Sequence, residues 1–471
     1  MEKITRIKRV RMALQGLLVF DDILKDYKIG TYCELLRAVT EPTFDMEKVY
    51  ILYNNFYRAL AGNNLVEYII ECLCSVRNEF TMRAARIGYN GFDYADLHDA
   101  ARDLAVIQSL AQISPQDLLE VIEQRFNNES KNLEVQAIFN DDLSPENWPV
   151  WIWSFQLNDN ARIVDSEAEA SKWLKKQKKD LIDSFIQEPE WKKNINNLIG
   201  FYKKVGCGIY GKYGAFKIHD SENRLEGIKH PDPIRLRNLV CQEREQAIVV
   251  DNTVSFLDGY PANNIILYGN RGTGKSSLVK ALLNEYISRG LRLVQLKKSQ
   301  IGFFPQLVRM LQEIPLKFIV FIDDLSFNDE EEDYKNLKSL LEGGIEARPD
   351  NVLIYATSNR RHLVKESFAD RQADDVRFRD TMEEKLSLAD RFGITVTFLS
   401  PDQETYLKIV EELATQNNLN IDRDELRQRA LKWVMLHNGR SGRTAKQFID
   451  HLRGTLSREK TGSKISAESA N

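Results

Sequence analysis

The sequence is short of several things, and each shortage excludes a class. No apolar run approaches the ~18 to 20 residues that a membrane-crossing helix requires, so no membrane span is expected. Neither sign of charge dominates: 65 Lys and Arg stand against 69 Asp and Glu, a net charge of -4. No overall field therefore argues for nucleic acid or an anionic membrane, and any such partner needs a local patch. Cysteine is scarce and scattered: Cys33, Cys72, Cys74, Cys207 and Cys241 are odd in number and include one CxC but no CxxC. That argues against a disulfide framework or a zinc site and predicts buried free thiols in a reducing, cytoplasmic compartment. The opening MEKITRIKRVRMALQGLLVFDD is basic and then apolar, but it has no small-residue cleavage site and meets Asp21 and Asp22 at once. An amphipathic first helix is expected there rather than a signal peptide.

At 471 residues the chain is long enough for about three domains, and its character changes along its length. From 1 to 200 glycine is sparse and apolar residues recur at helical spacing, as in DLHDAARDLAVIQSLAQISPQDLLEVIEQRF. An all-helical N-terminal region is predicted, with no chemical motif. Within it Trp148, Trp151 and Trp153 precede Lys175, Lys176, Lys178 and Lys179. These could stack bases above a phosphate-binding strip, or form a packed aromatic corner followed by a solvated helix face. Residues 201–230 include VGCGIYGKYGAFKIH, where glycines alternate with aromatic and apolar residues. That pattern predicts a β-hairpin joining the two halves.

The strongest motif follows the strand text IILY. Gly269, Asn270, Arg271, Gly272, Thr273, Gly274, Lys275 and Ser276 fit GxxxxGK[ST], and Ser277 opens the helical run that comes next. A glycine turn between strand and helix points successive backbone N–H groups and the positive helix end at phosphate oxygens. Lys275 would reach the β and γ phosphates of a nucleoside triphosphate, and the Ser276 hydroxyl would serve Mg²⁺. Some forty residues on, KFIVFIDDL reads as a buried strand delivering Asp323 and Asp324 at its carboxyl end, where open parallel sheets bind ligands. One carboxylate can hold the metal while the other orients or deprotonates water. NVLIYATSN places Asn359 at a third strand end, and LRLVQL and ITVTFLS supply two more strands.

The expected core, residues 231–400, is therefore an α/β domain: a doubly wound parallel sheet with helices on both faces. SPDQ reads as a capping box that opens a small helical lid over 401–457, with Arg440 and Arg443 near the start of its last helix. Either arginine could face phosphate, and the helix start favours Arg443. Residues 458–471 are polar, lack aromatics and are expected to be disordered. The charged stretches at 328–338 and 366–380 read as a solvated helix start and as a mobile or intersubunit insertion. Phe303 and Phe304, after the second strand, could present an aromatic to a central channel or start the next helix and pack on the sheet.

In order, GNRGTGKS, FIDDL, ATSN, DRFG and the GR pair of the lid resemble the AAA+ ATPases. The phrases LEGG, ATSNRRHL, SLADRFG and SGRTAKQF resemble more narrowly the ATP-binding proteins of domain of unknown function family 815. The likeness covers about 200 to 457. It implies Lys275 and Ser276 as Walker A, Asp323 as the Walker B metal ligand, and Asp324 at the position of the catalytic carboxylate. It further implies Asn359 as sensor 1, Arg443 as sensor 2, and Arg391 as an arginine finger acting on ATP bound by a neighbouring subunit. The alternative for Arg391 is an ion pair with Asp390 or Glu384. LRNLVCQE resembles the segment that holds adenine, with Cys241 where glycine is common, and Asp324 is one methylene shorter than the usual Glu. The implied function is Mg²⁺-dependent ATP hydrolysis in a head-to-tail homo-oligomer that remodels or loads a client. The alternative is a nucleotide-dependent binding switch or loader acting on DNA or a protein partner.

Overall fold

The computed structural model describes residues 2–129, 138–139, 143–154, 167–325, 349–359, 391–437 and 439–468. The charged stretches at 328–338 and 366–380 lie outside them. Two compact units emerge, Met1–Asp165 with Lys172–Tyr213, and Ser166–Ser171 with Gly214–Asn471. Among the described residues no helix is long and apolar enough to cross a membrane.

The first unit is helical. Its opening helix, Glu2–Leu14, buries Ile7, Val10 and Leu14 along one face, as an amphipathic start requires. The chain after it is held by buried Asp103, whose Oδ2 accepts the backbone N–H groups of Leu18, Val19 and Phe20 at 2.8, 2.7 and 3.1 Å. Side-chain oxygens of Asp26, Asn64 and Asp93 cap later helices by accepting orphan N–H groups of their first turns. Two of the three tryptophans are packed and not displayed, and the third is half-buried. Trp148 and Trp151 are buried against Tyr53, with ring centroids 4.8 and 5.4 Å away, and Trp153 Nε1 donates to the Ala111 carbonyl. The rings of Trp148 and Trp151 are taken by this packing, so these two are not displayed for base stacking.

Among the described residues the second unit is built on a seven-stranded sheet of order β2-β1-β4-β5-β6-β3-β7. Its strands are β1 (Ala215–Ile218), β2 (Leu225–Gly227), β3 (Ile265–Gly269), β4 (Leu291–Leu296), β5 (Lys317–Ile322), β6 (Val352–Ser358) and β7 (Ile394–Phe398). All neighbours are parallel except β1 and β2. β6 is buried throughout and β5 nearly so, which is why both read as continuous apolar text rather than as alternation.

The hairpin differs from the expectation. Val205 ends a helix and Gly208–Gly211 make a 3-10 turn, so the hairpin is formed by β1 and β2 instead. It is not a free joint, because β1 pairs with β4 and extends the central sheet. Phe303 and Phe304 are 9% and 6% exposed, and Phe304 begins the helix Phe304–Gln312. Packing has claimed both rings, which rules out an aromatic displayed to a channel.

The lid helices Gln403–Gln416, Arg423–Leu436 and Gly442–Glu468 share a core that includes Tyr406, Val410, Ala430, Phe448 and Ile449. The first is capped by Asp402, which accepts the Thr405 N–H at 2.8 Å, and not by Ser400. Ser400 Oγ is occupied by Asn270 Nδ2 at 2.7 Å. The last helix runs on past residue 458, where the sequence suggested disorder. Elongating an anchored helix avoids the nucleation cost, and the Lys, Arg, Glu and Ala of the extension are good helix formers.

Candidate functional site

The glycine turn leaves β3 and enters the helix Lys275–Tyr286. Gly269, Gly272 and Gly274 adopt φ of 143, 77 and 98°, values that favour glycine. Close approach adds a second reason. A Cβ on Gly269 would lie 1.9 Å from the Phe398 carbonyl oxygen, and one on Gly272 would lie 2.9 Å from Ser441 Oγ and 3.1 Å from Arg443 Cβ. The Arg443 N–H donates to the Gly272 carbonyl at 3.1 Å, so the lid's last helix is fastened to the turn. Thr273 Oγ1 closes the loop on the Asn270 carbonyl at 2.8 Å.

Lys275 Nζ donates to the carbonyls of Gly269 and Asn270, both at 2.8 Å, and to Asn359 Oδ1 at 3.1 Å. Burial pushes its ammonium below the usual lysine value, with Asp323 and Asp324 pulling the other way. Asp323 Oδ1 accepts from Ser276 Oγ and from Thr357 Oγ1, each at 2.6 Å. Asp324 takes a left-handed φ of 53°, and its Oδ1 accepts from Asn359 Nδ2 at 2.6 Å. The expected set from Lys275 to Asn359 is thus one connected network drawn from the carboxyl ends of β3, β5 and β6.

A cavity of about 600 Å³ opens over this network, within the range of small-molecule sites. Arg271 through Ser277, Asp323, Asp324, Asn359 and Arg443 line it. Gly269 and Asn270 stand behind it as the lysine's acceptors. Arg440 and Arg391 are not among its lining residues; Arg440 Nη2 instead meets Gln403 Oε1 at 3.3 Å. The far end is apolar, with Leu239, Val240, Ile409 and Leu413, a surface suited to a flat base. Cys241, at the turn beside it, holds φ of 58°. The turn that glycine commonly makes is therefore kept, at a cost of about 1 to 2 kcal/mol for a residue with a Cβ.

Sequence reasoning passed over three lining residues. Lys446 lies one turn beyond Arg443 on the lid helix and adds a cation facing the cavity. Its signal was the i, i+3 spacing from Arg443. Gln242 donates from Nε2 to the Thr273 carbonyl at 2.7 Å, and Thr357 Oγ1 links the Asp323 carboxylate to the Asp324 backbone N–H; both stand inside LRNLVCQE and ATSN, where the motifs assigned them no role.

The donor set suits Mg²⁺: a serine hydroxyl and a carboxylate are hard oxygen ligands, already in mutual contact. Among the described residues no group of three or more His, Cys, Asp or Glu could hold a metal. A sparse site of this kind fits an ion that binds few protein ligands and keeps several waters.

The family model described as Protein of unknown function (DUF815) matches residues 211–456. The chain is 29% identical over 179 residues to a 26S proteasome regulatory subunit 4 homolog of Dictyostelium discoideum, covering 34% of this chain and 36% of that protein. It is 28% identical over 168 residues to the proteasome-activating nucleotidase of Methanoregula boonei, covering 32% and 34%. A shorter match, 33% over 84 residues, falls on the zinc import ATP-binding protein ZnuC of Vibrio parahaemolyticus, with 18% and 31% covered. The chain thus spans about a third of the length of these curated relatives. Among solved structures, the Thermotoga maritima RuvB Holliday junction branch migration motor aligns with a TM-score of 0.34 and 16% identity. That alignment covers 48% of this chain and 67% of that one.

Proposed function

The chain belongs to the DUF815 family and is related to the AAA+ ATPases, and from that premise we propose that it binds ATP in the cavity and hydrolyses it with Mg²⁺. The observation that carries this is the pairing of two contacts at the mouth of the glycine turn. Ser276 meets Asp323 at 2.6 Å, and Asn359 meets Asp324 at 2.6 Å. One pair is suited to a metal and the other to a water.

In the proposed mechanism Lys275 exchanges its loop carbonyls for the β and γ phosphates, joined by Arg443 and Lys446 from the lid. Mg²⁺, held by Ser276 and Asp323, would neutralise charge on the phosphates. Asp324 accepts the proton of the attacking water, and Asn359 fixes that carboxylate while reaching toward the γ phosphate. Charge stabilisation and positioning carry most of phosphoryl transfer, and every side chain here does one or the other. The test is ATP turnover and ATP binding in Asp324→Asn. Binding is expected to persist and turnover to fall by about 10² or more, the loss typical of a general base. Equal turnover in variant and wild type contradicts the assignment.

Arg391 is proposed to serve the nucleotide of a neighbouring copy in a head-to-tail homo-oligomer. Support comes from the register: Ile265 pairs with Ile394 and Gly269 with Phe398. Arg391 precedes β7, so roughly 13 Å of strand separates its end of the sheet from the glycine turn on the same chain. Head-to-tail contact of this kind closes into a ring or runs on as a helix. The client acted on is a protein or nucleic acid, and the five free thiols accord with a reducing, cytoplasmic setting.

The second reading, a nucleotide-dependent switch or loader that hydrolyses ATP only to reset, is favoured by the short Asp324 side chain, which Asn359 already engages. DNA-stimulated turnover that falls with rising salt selects the nucleic-acid form of that switch, and stimulation by one protein selects an adaptor.

A further inference from the structure

One residue of the ATSN strand end, two places before Asn359, ties Asp323 and Asp324 together, although the motif reading gave it no role. Thr357 lies near the end of β6, 1% exposed. Its hydroxyl donates to Asp323 Oδ1 at 2.6 Å and accepts the backbone N–H of Asp324 at 2.9 Å. Its carbonyl accepts the N–H of Leu325 at 2.7 Å. Three successive residues of the turn after β5 are therefore fixed by one residue of β6. The middle one, Asp324, holds φ of 53°, a conformation that persists only where its surroundings determine it.

We infer that Thr357 is a positioning residue of the reaction: a single hydroxyl orients the metal carboxylate of Asp323 and holds the left-handed backbone from which Asp324 meets water. This rests on the nucleotide-hydrolysis reading above and deepens it. The hydroxyl has one proton, and that proton is committed to Asp323, so the oxygen lone pair is what remains for the Asp324 N–H. Serine preserves both bonds. Valine preserves shape and removes both, leaving a buried N–H without its acceptor and Asp323 with one donor fewer. The two carboxylates then lose their common reference, although neither has been altered.

The experiment measures Mg²⁺ dependence of ATP turnover for the full chain, wild type, Thr357→Val and Thr357→Ser, beside fluorescent ATP-analogue binding without Mg²⁺. The valine variant is expected to need at least tenfold more Mg²⁺ for half-maximal turnover and to lose about 100-fold in kcat, the scale of an ångström-level misplacement. Metal-free binding stays within twofold, and the serine variant recovers most of both losses. A valine variant with wild-type Mg²⁺ dependence and kcat overturns the positioning role while leaving hydrolysis intact. So does a pair of variants equally impaired, since serine keeps the hydroxyl. If valine does not fold, the serine variant alone decides: wild-type Mg²⁺ dependence supports the role, and a tenfold shift with the hydroxyl present contradicts it. A wild-type chain that neither binds nor hydrolyses Mg²⁺·ATP overturns the underlying reading, and this proposal with it.

Discussion

At the residue scale the site depends on side chains held in unusual places. Asp324 is the clearest case. In the left-handed region Asp and Asn are enriched several-fold over other non-glycine residues, so the short acid suits this backbone better than the Glu common at its position. Asp324→Glu is accordingly expected to slow turnover and not to improve it. The extra methylene pushes the carboxylate past Asn359 Nδ2, now 2.6 Å away, and misplacement of about 1 Å can cost up to about 100-fold. A kcat comparison checks this; a faster Glu variant contradicts the geometric account. Residues of this kind divide by legibility. Lys275, Ser276 and Asp323 stand in motif text from which their proximity could be expected, and the structure brings them to one cavity. The contacts of Thr357 with Asp323 and Asp324 could not be expected, because they exist only once β6 lies beside β5.

At the element scale the glycine turn is a junction of three structures: β3, β7 and the lid. Gly269→Ala is the direct probe of its outer edge. The new Cβ would meet the Phe398 carbonyl oxygen at 1.9 Å on a backbone of φ 143°. The β3–β7 pairing must give way, at about 3 kcal/mol or more from strain and overpacking together. Thermal unfolding of the variant should show a clear drop in Tm, and an unchanged Tm contradicts the close approach. The strands themselves were legible, since KFIVFI, VLIYATS and ITVTF carry dense β-branched or aromatic text and LRLVQL is mainly leucine and valine, with polar residues at Arg292 and Gln295. The hairpin was misplaced for an identifiable reason. Glycines in GCGIYG alternate with larger residues as a strand would, but positive φ at Gly206 and Gly208 turns that segment instead. The fate of β1 as a sheet strand depends on its distant partner β4.

At the scale of the whole molecule the sequence is least explicit, because assembly depends on surfaces and not on motifs. Arg391 carries that question. An arginine finger contributes ~10³ to 10⁵ in rate, about 4 to 7 kcal/mol of barrier, whereas an exposed ion pair contributes ~1 kcal/mol or less. The two roles are separated by orders of magnitude in kcat. Among the described residues of the helical N-terminal unit, Trp148, Trp151 and Trp191 are buried, and a client of that unit is to be sought by binding.

The most direct test is the ATP turnover of a one-to-one mixture of Lys275→Ala and Arg391→Ala chains, assembled together and compared with each variant alone. The first lacks a working glycine turn but keeps its arginine; the second is the reverse. With a site shared head to tail, each variant alone is nearly inactive. The mixture recovers about a quarter of the wild-type rate, the share of interfaces that random assembly completes. A mixture no faster than the mean of its parts, or an Arg391→Ala chain that turns over at the wild-type rate, contradicts a site completed by a second copy.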